Sequence, residues 1–78
     1  MDEVVIKECM LQFPDASSEV EAVDLAAQAV HRQIRENYTS MDFKTIKKLS
    51  SKYNYLHLLR EELAQKRIAD MSSFVVLN

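Results

Sequence analysis

Residues 18–37 read SEVEAVDLAAQAVHRQIREN, and their apolar side chains recur at alternating spacings of three and four. The positions that keep this spacing are Val20, Val23, Ala27, Val30 and Ile34. Such a period predicts an amphipathic helix. A capping box at Ser18 and Glu21 marks its start, and Asn37 is a suitable C-terminal stop. We therefore expect 18–37 to be the central helix, packed on Ile46, Leu49, Leu56, Leu59 and Leu63.

The segment before it, residues 2–13, also has a helical pattern. Ile6, Met10 and Phe13 fall on one face, and Asp2 is a plausible N-cap. Pro14 disfavours helical geometry at Phe13 and ends the segment. A strand through residues 4–6 is the alternative interpretation, and the helix is preferred.

The second half of the chain predicts two further helices, 41–50 and 54–70. Ser50, Ser51 and Asn54 are poor helix-interior residues, so a break is expected there, with one continuous helix as the alternative. Residues 72–78 are rich in β-branched side chains, which favours an extended tail. That tail would pack on the core, pair with residues 4–6 or dock on another chain.

The composition supports an all-α fold in a single domain over residues 1–78. There is no glycine among the 78 residues and only one proline, which argues against tight hairpins and a sheet. We expect a small bundle of three to four helices, with the option of short extended segments at both ends. The longest apolar runs are three or four residues, against about 20 for a membrane span. One cysteine and no targeting segment favour an intracellular location, in the cytosol or nucleus.

No catalytic, cofactor or metal site is predicted. Phosphate-cradling loops need glycine, and one cysteine with two histidines cannot supply the common zinc ligand sets. His57 and Glu61 stand four apart on a helix but lack a third ligand, so they are interpreted as a surface pair. Cys9 lies on the apolar face of its helix beside Glu8 and is interpreted as a core residue. The chain is therefore expected not to be an enzyme.

A basic cluster in the second half suggests an alternative function, nucleic-acid binding. The cluster comprises Lys44, Lys47, Lys48 and Lys52. Tyr53 and Tyr55 stand close by, and bases beside aromatic rings can hold phosphates and stack on nucleobases. Against this, a helix over residues 55–63 would present Glu61 and Glu62 to a polyanion, and the net charge of the chain is −2. A solvated helix face is the preferred interpretation of the lysines.

Phe13-Pro14, Val20, Val23 and Leu25 carry a partial resemblance to a known family. Residues 10–25 resemble the opening of a CUE-type ubiquitin-binding domain, a small three-helix fold. The resemblance implies ubiquitin contacts around Phe13-Pro14 and at a di-leucine closing the third helix. Here the glycine between the second and third helices is absent, and the di-leucine Leu58-Leu59 comes later than in that family. We therefore assign the chain to no family on this resemblance.

The function we expect is protein–protein interaction, as a subunit, adaptor or regulator. The first helix, the Ile68/Met71 stripe and the tail offer more apolar surface than one small core covers, and such surfaces usually mark interfaces. The candidate partner-binding residues are Ile68, Met71, Phe74, Val75, Val76 and Leu77. Residues 1–38 carry eight acidic and three basic side chains, whereas 39–67 carry three acidic and seven basic ones. Such opposed halves can attract each other within one chain or between two, and a symmetric homodimer is the simplest outcome of association.

Overall fold

A computed structural model describes the backbone of residues 2–77 and the side chains of residues 2–68. It contains three helices, α1 (Glu3–Gln12), α2 (Glu19–Asn37) and α3 (Phe43–Leu77). Residues 2–77 contain no strand. The prediction of an all-helical fold is therefore confirmed, with three helices rather than four.

The central helix α2 begins and ends where its sequence predicts. Ser18 Oγ accepts a hydrogen bond from the Glu21 backbone N–H at 3.1 Å. The Glu21 carboxylate accepts from the Ser17 hydroxyl, so only one half of the predicted capping box forms. At the other end, Asn37 Nδ2 donates to the Gln33 carbonyl at 3.0 Å. The open carbonyl of Asn37 itself accepts from the backbone N–H groups of Ser40 and Met41.

The first segment is a helix, so the alternative of a strand at residues 4–6 is wrong. Asp2 caps α1, because its side chain accepts from the Val5 N–H at 3.2 Å. The Phe13 N–H donates to the Cys9 carbonyl at 2.9 Å and completes the last turn before Pro14. The turn at Pro14 leads the chain back towards α2.

The predicted break near residues 50–54 is wrong, because α3 runs unbroken from Phe43 to Leu77. Its N-cap is Asp42, whose Oδ1 accepts from the Thr45 N–H at 2.8 Å. Serine and asparagine each cost roughly half a kcal/mol inside a helix. Burial of Leu56 and Leu59 on the next turns outweighs that cost.

The prediction of an extended C-terminal segment is wrong as well. The backbone of residues 72–77 continues α3 as helix. Once a helix has nucleated, each further residue adds a hydrogen bond, so a few β-branched residues are too weak a preference to stop it. The N-terminal segment is likewise helical from Glu3 onwards.

The core lies where α2 meets α1 on one side and α3 on the other. Its buried side chains are Ile6, Cys9, Ala22, Val23, Ala26, Ala27, Val30, Leu56, Leu59 and Leu63. The alanines let the helices approach closely. Leu49 is half-buried against this cluster, as expected, whereas Ile46 is half-buried outside it. The expected packing of α2 on α3 is therefore confirmed for Leu49, Leu56, Leu59 and Leu63 and is wrong for Ile46.

The third helix is much longer than its neighbour. With 35 residues against 19, α3 spans about 52 Å and α2 about 28 Å. The antiparallel register that places Asp24 against Arg60 and His31 against Tyr53 sets Glu19 opposite Gln65. Residues 66–77 therefore extend beyond α2, and we call them the α3 overhang. The radius of gyration, 15.2 Å, exceeds the roughly 11–12 Å of a compact domain of this length.

Candidate functional site

The first candidate surface is a groove between α1 and α3, which we call the α1–α3 groove. Val4, Ile6, Met10 and Leu63 supply its apolar lining. Its charged lining residues are Glu3, Lys7, Glu19 and Lys66. The groove has a volume of about 440 Å³, and Val4 is 68% exposed. An apolar floor between charges of both signs suits another protein surface.

A hydrogen bond between Asp2 and Tyr55 holds α1 against α3. The Tyr55 hydroxyl donates to Asp2 Oδ2 at 2.5 Å. This bond is the main reason that the pKa of Asp2 is lowered, and the Val5 N–H lowers that pKa further. The same bond raises the pKa of Tyr55. One wall of the α1–α3 groove is thereby fixed at the N-terminus of α1.

The second candidate surface is a groove between α2 and α3, which we call the α2–α3 groove. Four of its residues follow one another on α2 at spacings of four, three and four: Asp24, Gln28, His31 and Arg35. Three come from α3 at spacings of four and three: Tyr53, His57 and Arg60. Ala27 and Arg32 complete the lining, and the volume is about 330 Å³. Two polar helical stripes of matching period therefore face each other.

Aromatic rings and charges occupy different parts of the α2–α3 groove. The rings of His31 and Tyr53 lie 5.4 Å apart between centroids, and those of Tyr53 and His57 lie 6.2 Å apart and nearly parallel. Arg60 Nε lies 2.9 Å from Asp24 Oδ1. That nitrogen is buried and its N–H forms no hydrogen bond with the described residues, so the contact is an ion pair without a directed hydrogen bond. Three guanidinium groups against one carboxylate give this groove an excess of positive charge.

Cys9 belongs to the core, as predicted, and only 4% of it is exposed. Burial raises the pKa of its thiol, and Glu8 raises it further, while Lys52 acts in the opposite direction. A thiol with a raised pKa is a poor nucleophile at neutral pH. The structure therefore gives this cysteine a packing role.

The candidate nucleic-acid residues do not form one surface with the aromatic rings. Lys44, Lys47, Lys48 and Lys52 are all exposed on α3. Lys52 lines a depression that also contains Glu8, which offsets its charge. Tyr53 lies in the α2–α3 groove and Tyr55 is bonded to Asp2. Neither ring stands free beside the lysines as a stacking platform.

The candidate partner-binding residues lie on the α3 overhang. Ile68 is 62% exposed. The side chains of Met71, Phe74, Val75, Val76 and Leu77 lie outside the described residues. Within the part of the chain that the structure describes, no helix has the length and apolar character to cross a membrane.

The pair His57 and Glu61 lies at the edge of the α2–α3 groove. His57 Nε2 and Glu61 Oε1 are 4.0 Å apart, and each side chain is about half exposed. Residues 2–68 contain no group of three metal-ligating side chains that could hold an ion. The pair therefore has no third partner there to make a metal site.

Sequence reasoning missed the α2–α3 groove. Nothing in the sequence of α2 alone relates His31, Arg32 and Arg35 to Tyr53 or Arg60 on α3. The signal was present in the matched polar spacings of α2 and α3, but it becomes useful only when their antiparallel register is known.

Comparison of the chain with family models, curated proteins and solved structures finds no match. The resemblance of residues 10–25 to a CUE-type domain thus has no support at the level of the whole chain. The structure also buries Leu59 while leaving Leu58 62% exposed, so the di-leucine does not present both side chains to a partner. Function is therefore argued from the two grooves.

Proposed function

We propose that the chain is a non-catalytic protein-binding module that associates with a second copy of itself. The α1–α3 groove and the α3 overhang would form the interface. The observation that carries this proposal is the position of the overhang, which extends about three turns past α2 directly beside an open apolar groove. Among the overhang residues whose side chains the structure describes, Ile68 is the apolar one, and it is exposed.

The overhang has a reason to need a partner. Most helical stability in proteins comes from packing of an apolar face, and α2 ends before it can offer such packing to the overhang. The overhang carries the candidate partner-binding residues of the sequence, Ile68, Met71, Phe74, Val75, Val76 and Leu77.

The charges around the α1–α3 groove support a second copy as the occupant. Glu3 and Glu19 supply negative charge there, whereas Lys7 and Lys66 supply positive charge. In a twofold dimer the same patch meets itself, so a patch with both signs can form complementary pairs. Each overhang would lie in the groove of the other copy, giving two equivalent contacts.

The proposed module acts by binding, in the cytosol or nucleus, where its lone thiol would stay reduced. Nucleic-acid binding is the second candidate, and the observation that favours it is the exposure of Lys44, Lys47, Lys48 and Lys52. Two observations weigh against nucleic-acid binding. Lys52 lies beside the carboxylate of Glu8. Tyr53 lines the α2–α3 groove and Tyr55 is hydrogen-bonded to Asp2, so neither ring is free to stack on a base. Self-association is therefore the preferred proposal.

Light scattering behind size exclusion tests the proposal across a hundredfold concentration range. A dimer of about 18 kDa, twice the 9.0 kDa chain, is expected at the upper end. Val4→Glu and Ile68→Glu should each shift the dimer to monomer, because each places an unpaired charge in the interface. Circular dichroism should show unchanged helix content, since both side chains are exposed in the single chain.

Leu11→Glu is the matched control. Leu11 is an exposed apolar residue of α1, 74% accessible, but it does not line the α1–α3 groove. The control should leave the dimer intact. A 9 kDa species at every concentration would contradict the proposal, and so would a Leu11→Glu variant that dissociates as readily as the other two.

A further inference from the structure

We propose that the α2–α3 groove binds a phosphate monoester that carries a planar ring. This inference is separate from self-association, because the α2–α3 groove shares no lining residue with the α1–α3 groove. The failure of one proposal therefore leaves the other standing.

The charge of the α2–α3 groove matches a dianion. Arg60 is already paired with Asp24. Among the described residues, neither Arg32 nor Arg35 has a carboxylate oxygen within 4.0 Å. Two guanidinium groups are thus available at one end of the groove, opposite in charge to a phosphate monoester with about two negative charges at neutral pH. Guanidinium groups bind phosphate oxygens in a two-point geometry that a lysine ammonium cannot offer.

The aromatic rings and the volume of the α2–α3 groove indicate that the ligand also carries a planar group. The rings of His31, Tyr53 and His57 lie in sequence along it, with centroid separations of 5.4 and 6.2 Å. A volume of about 330 Å³ is at the small end of the range for sites that hold small molecules. A planar group attached to the phosphate can lie against the imidazole and phenol rings while the phosphate reaches the arginines.

The position of Asp24 determines the orientation of the bound ligand in the α2–α3 groove. Asp24 lines the groove at the end where it pairs with Arg60, whereas Arg35 lies three turns further along α2. A negative phosphate is repelled by the carboxylate and attracted by Arg32 and Arg35. The phosphate is therefore placed at the Arg35 end, and the planar ring points towards His57.

An NMR titration of the full chain with phenyl phosphate, adenosine monophosphate and inorganic phosphate at constant ionic strength tests the proposal. Chemical-shift changes should concentrate on residues lining the α2–α3 groove, including the arginine side chains. Both esters should bind more tightly than inorganic phosphate, because only they carry a ring. Comparison of the two dissociation constants shows whether the groove prefers an aryl phosphate or a nucleotide.

Two double variants, each of which removes two positive charges, distinguish specific binding in the α2–α3 groove from non-specific attraction by the positive charge of the protein. Arg32→Gln with Arg35→Gln should weaken phenyl phosphate binding by about tenfold to a hundredfold, because it removes charge-assisted hydrogen bonds. Lys44→Gln with Lys47→Gln removes the same charge from exposed positions outside the groove. This control should weaken binding by less than about twofold, since salt screens distant charges.

A single variant tests the contribution of the rings. His57→Gln keeps a polar side chain at an exposed position and should weaken phenyl phosphate binding while leaving that of inorganic phosphate unchanged. Equal losses in the arginine and lysine double variants would overturn the proposal. It would also be overturned if inorganic phosphate bound as tightly as the esters, or if no probe moved the resonances of the α2–α3 groove.

Discussion

The two parts of α3 share one helical backbone but have different surroundings. In residues 43–65 the helix packs on α2, and Leu56, Leu59 and Leu63 are buried in the shared core. In the overhang no part of α2 lies alongside, and Ile68 is 62% exposed. The first part is held by tertiary packing, whereas the second continues a helix that has already nucleated. Apolar side chains of α3 therefore belong to the core in the first part, whereas Ile68 in the second part lies at the surface.

The largest predicted effect is a difference in the free energy of unfolding between a variant in residues 43–65 and a variant in the overhang. Leu59→Ala should lower the free energy of unfolding by about 2–5 kcal/mol, because it leaves a cavity in the core. Ile68→Ala should change it by no more than about 0.5 kcal/mol, as is usual for surface positions. Urea unfolding followed by circular dichroism, at a concentration where the chain is monomeric, measures both. Similar losses for the two variants would mean that the overhang packs within a single chain.

A smaller effect tests whether α3 is continuous through its packed part. Asn54 is exposed in the middle of the helix, where alanine is favoured over asparagine by roughly 0.5 kcal/mol. Asn54→Ala should therefore stabilise the protein by about that amount in the same urea experiment. If α3 instead broke there and Asn54 were an N-cap, the substitution would destabilise it by about 1 kcal/mol. The sign of the change decides between the two arrangements.

The smallest effect concerns the contact that joins the packed part of α3 to α1. The folded pKa of Asp2 is lowered from its ordinary value of 3.8, so the contact stabilises the fold above that pH and is lost as pH falls through the folded pKa. The folded pKa of Tyr55 is raised from 10.0, so the stabilisation is also lost as pH rises through that pKa. The contact therefore acts across the pH range between these two limits.

Tyr55→Phe isolates this contact. In the variant, the pKa of Asp2 should rise towards 3.8, because its largest cause of lowering is gone, while the Val5 N–H continues to lower it. Carboxyl-carbon NMR titration of Asp2 in both proteins provides the measurement. An unchanged pKa would show that Tyr55 does not bond to Asp2 in solution.

The positions of α1 and α2 could be predicted because local signals mark their ends. Ser18, Asn37 and Pro14 act within a few residues, and the apolar period between them is regular. The continuity of α3 could not be predicted in the same way, because Ser50, Ser51 and Asn54 argue locally for a break. The burial of Leu56 and Leu59 against another helix overrides that preference.

The candidate sites were harder to predict than the fold. Exposure of Ile68 was expected from the surplus of apolar residues, and the structure agrees. The α2–α3 groove joins residues as far apart as Asp24 and Arg60, and only the register of two antiparallel helices brings them together. A sequence pattern on one helix carries no information about that register. The aromatic residues beside the lysines were misjudged for the same reason, since Tyr55 pairs with Asp2, 53 residues away.

The burial of Cys9 has a consequence for the kinetics of thiol chemistry. Because this thiol is 4% exposed and is carried by α1 on the side that packs in the core, its reaction with a reagent should be much faster when α1 lifts from α2. The rate of thiol modification then reports the opening equilibrium of α1 without any added label. A disulfide between two copies would likewise require that opening. Oxidation would thus trap a transiently undocked chain, and a covalent dimer formed in this way would differ from one assembled through the α1–α3 groove.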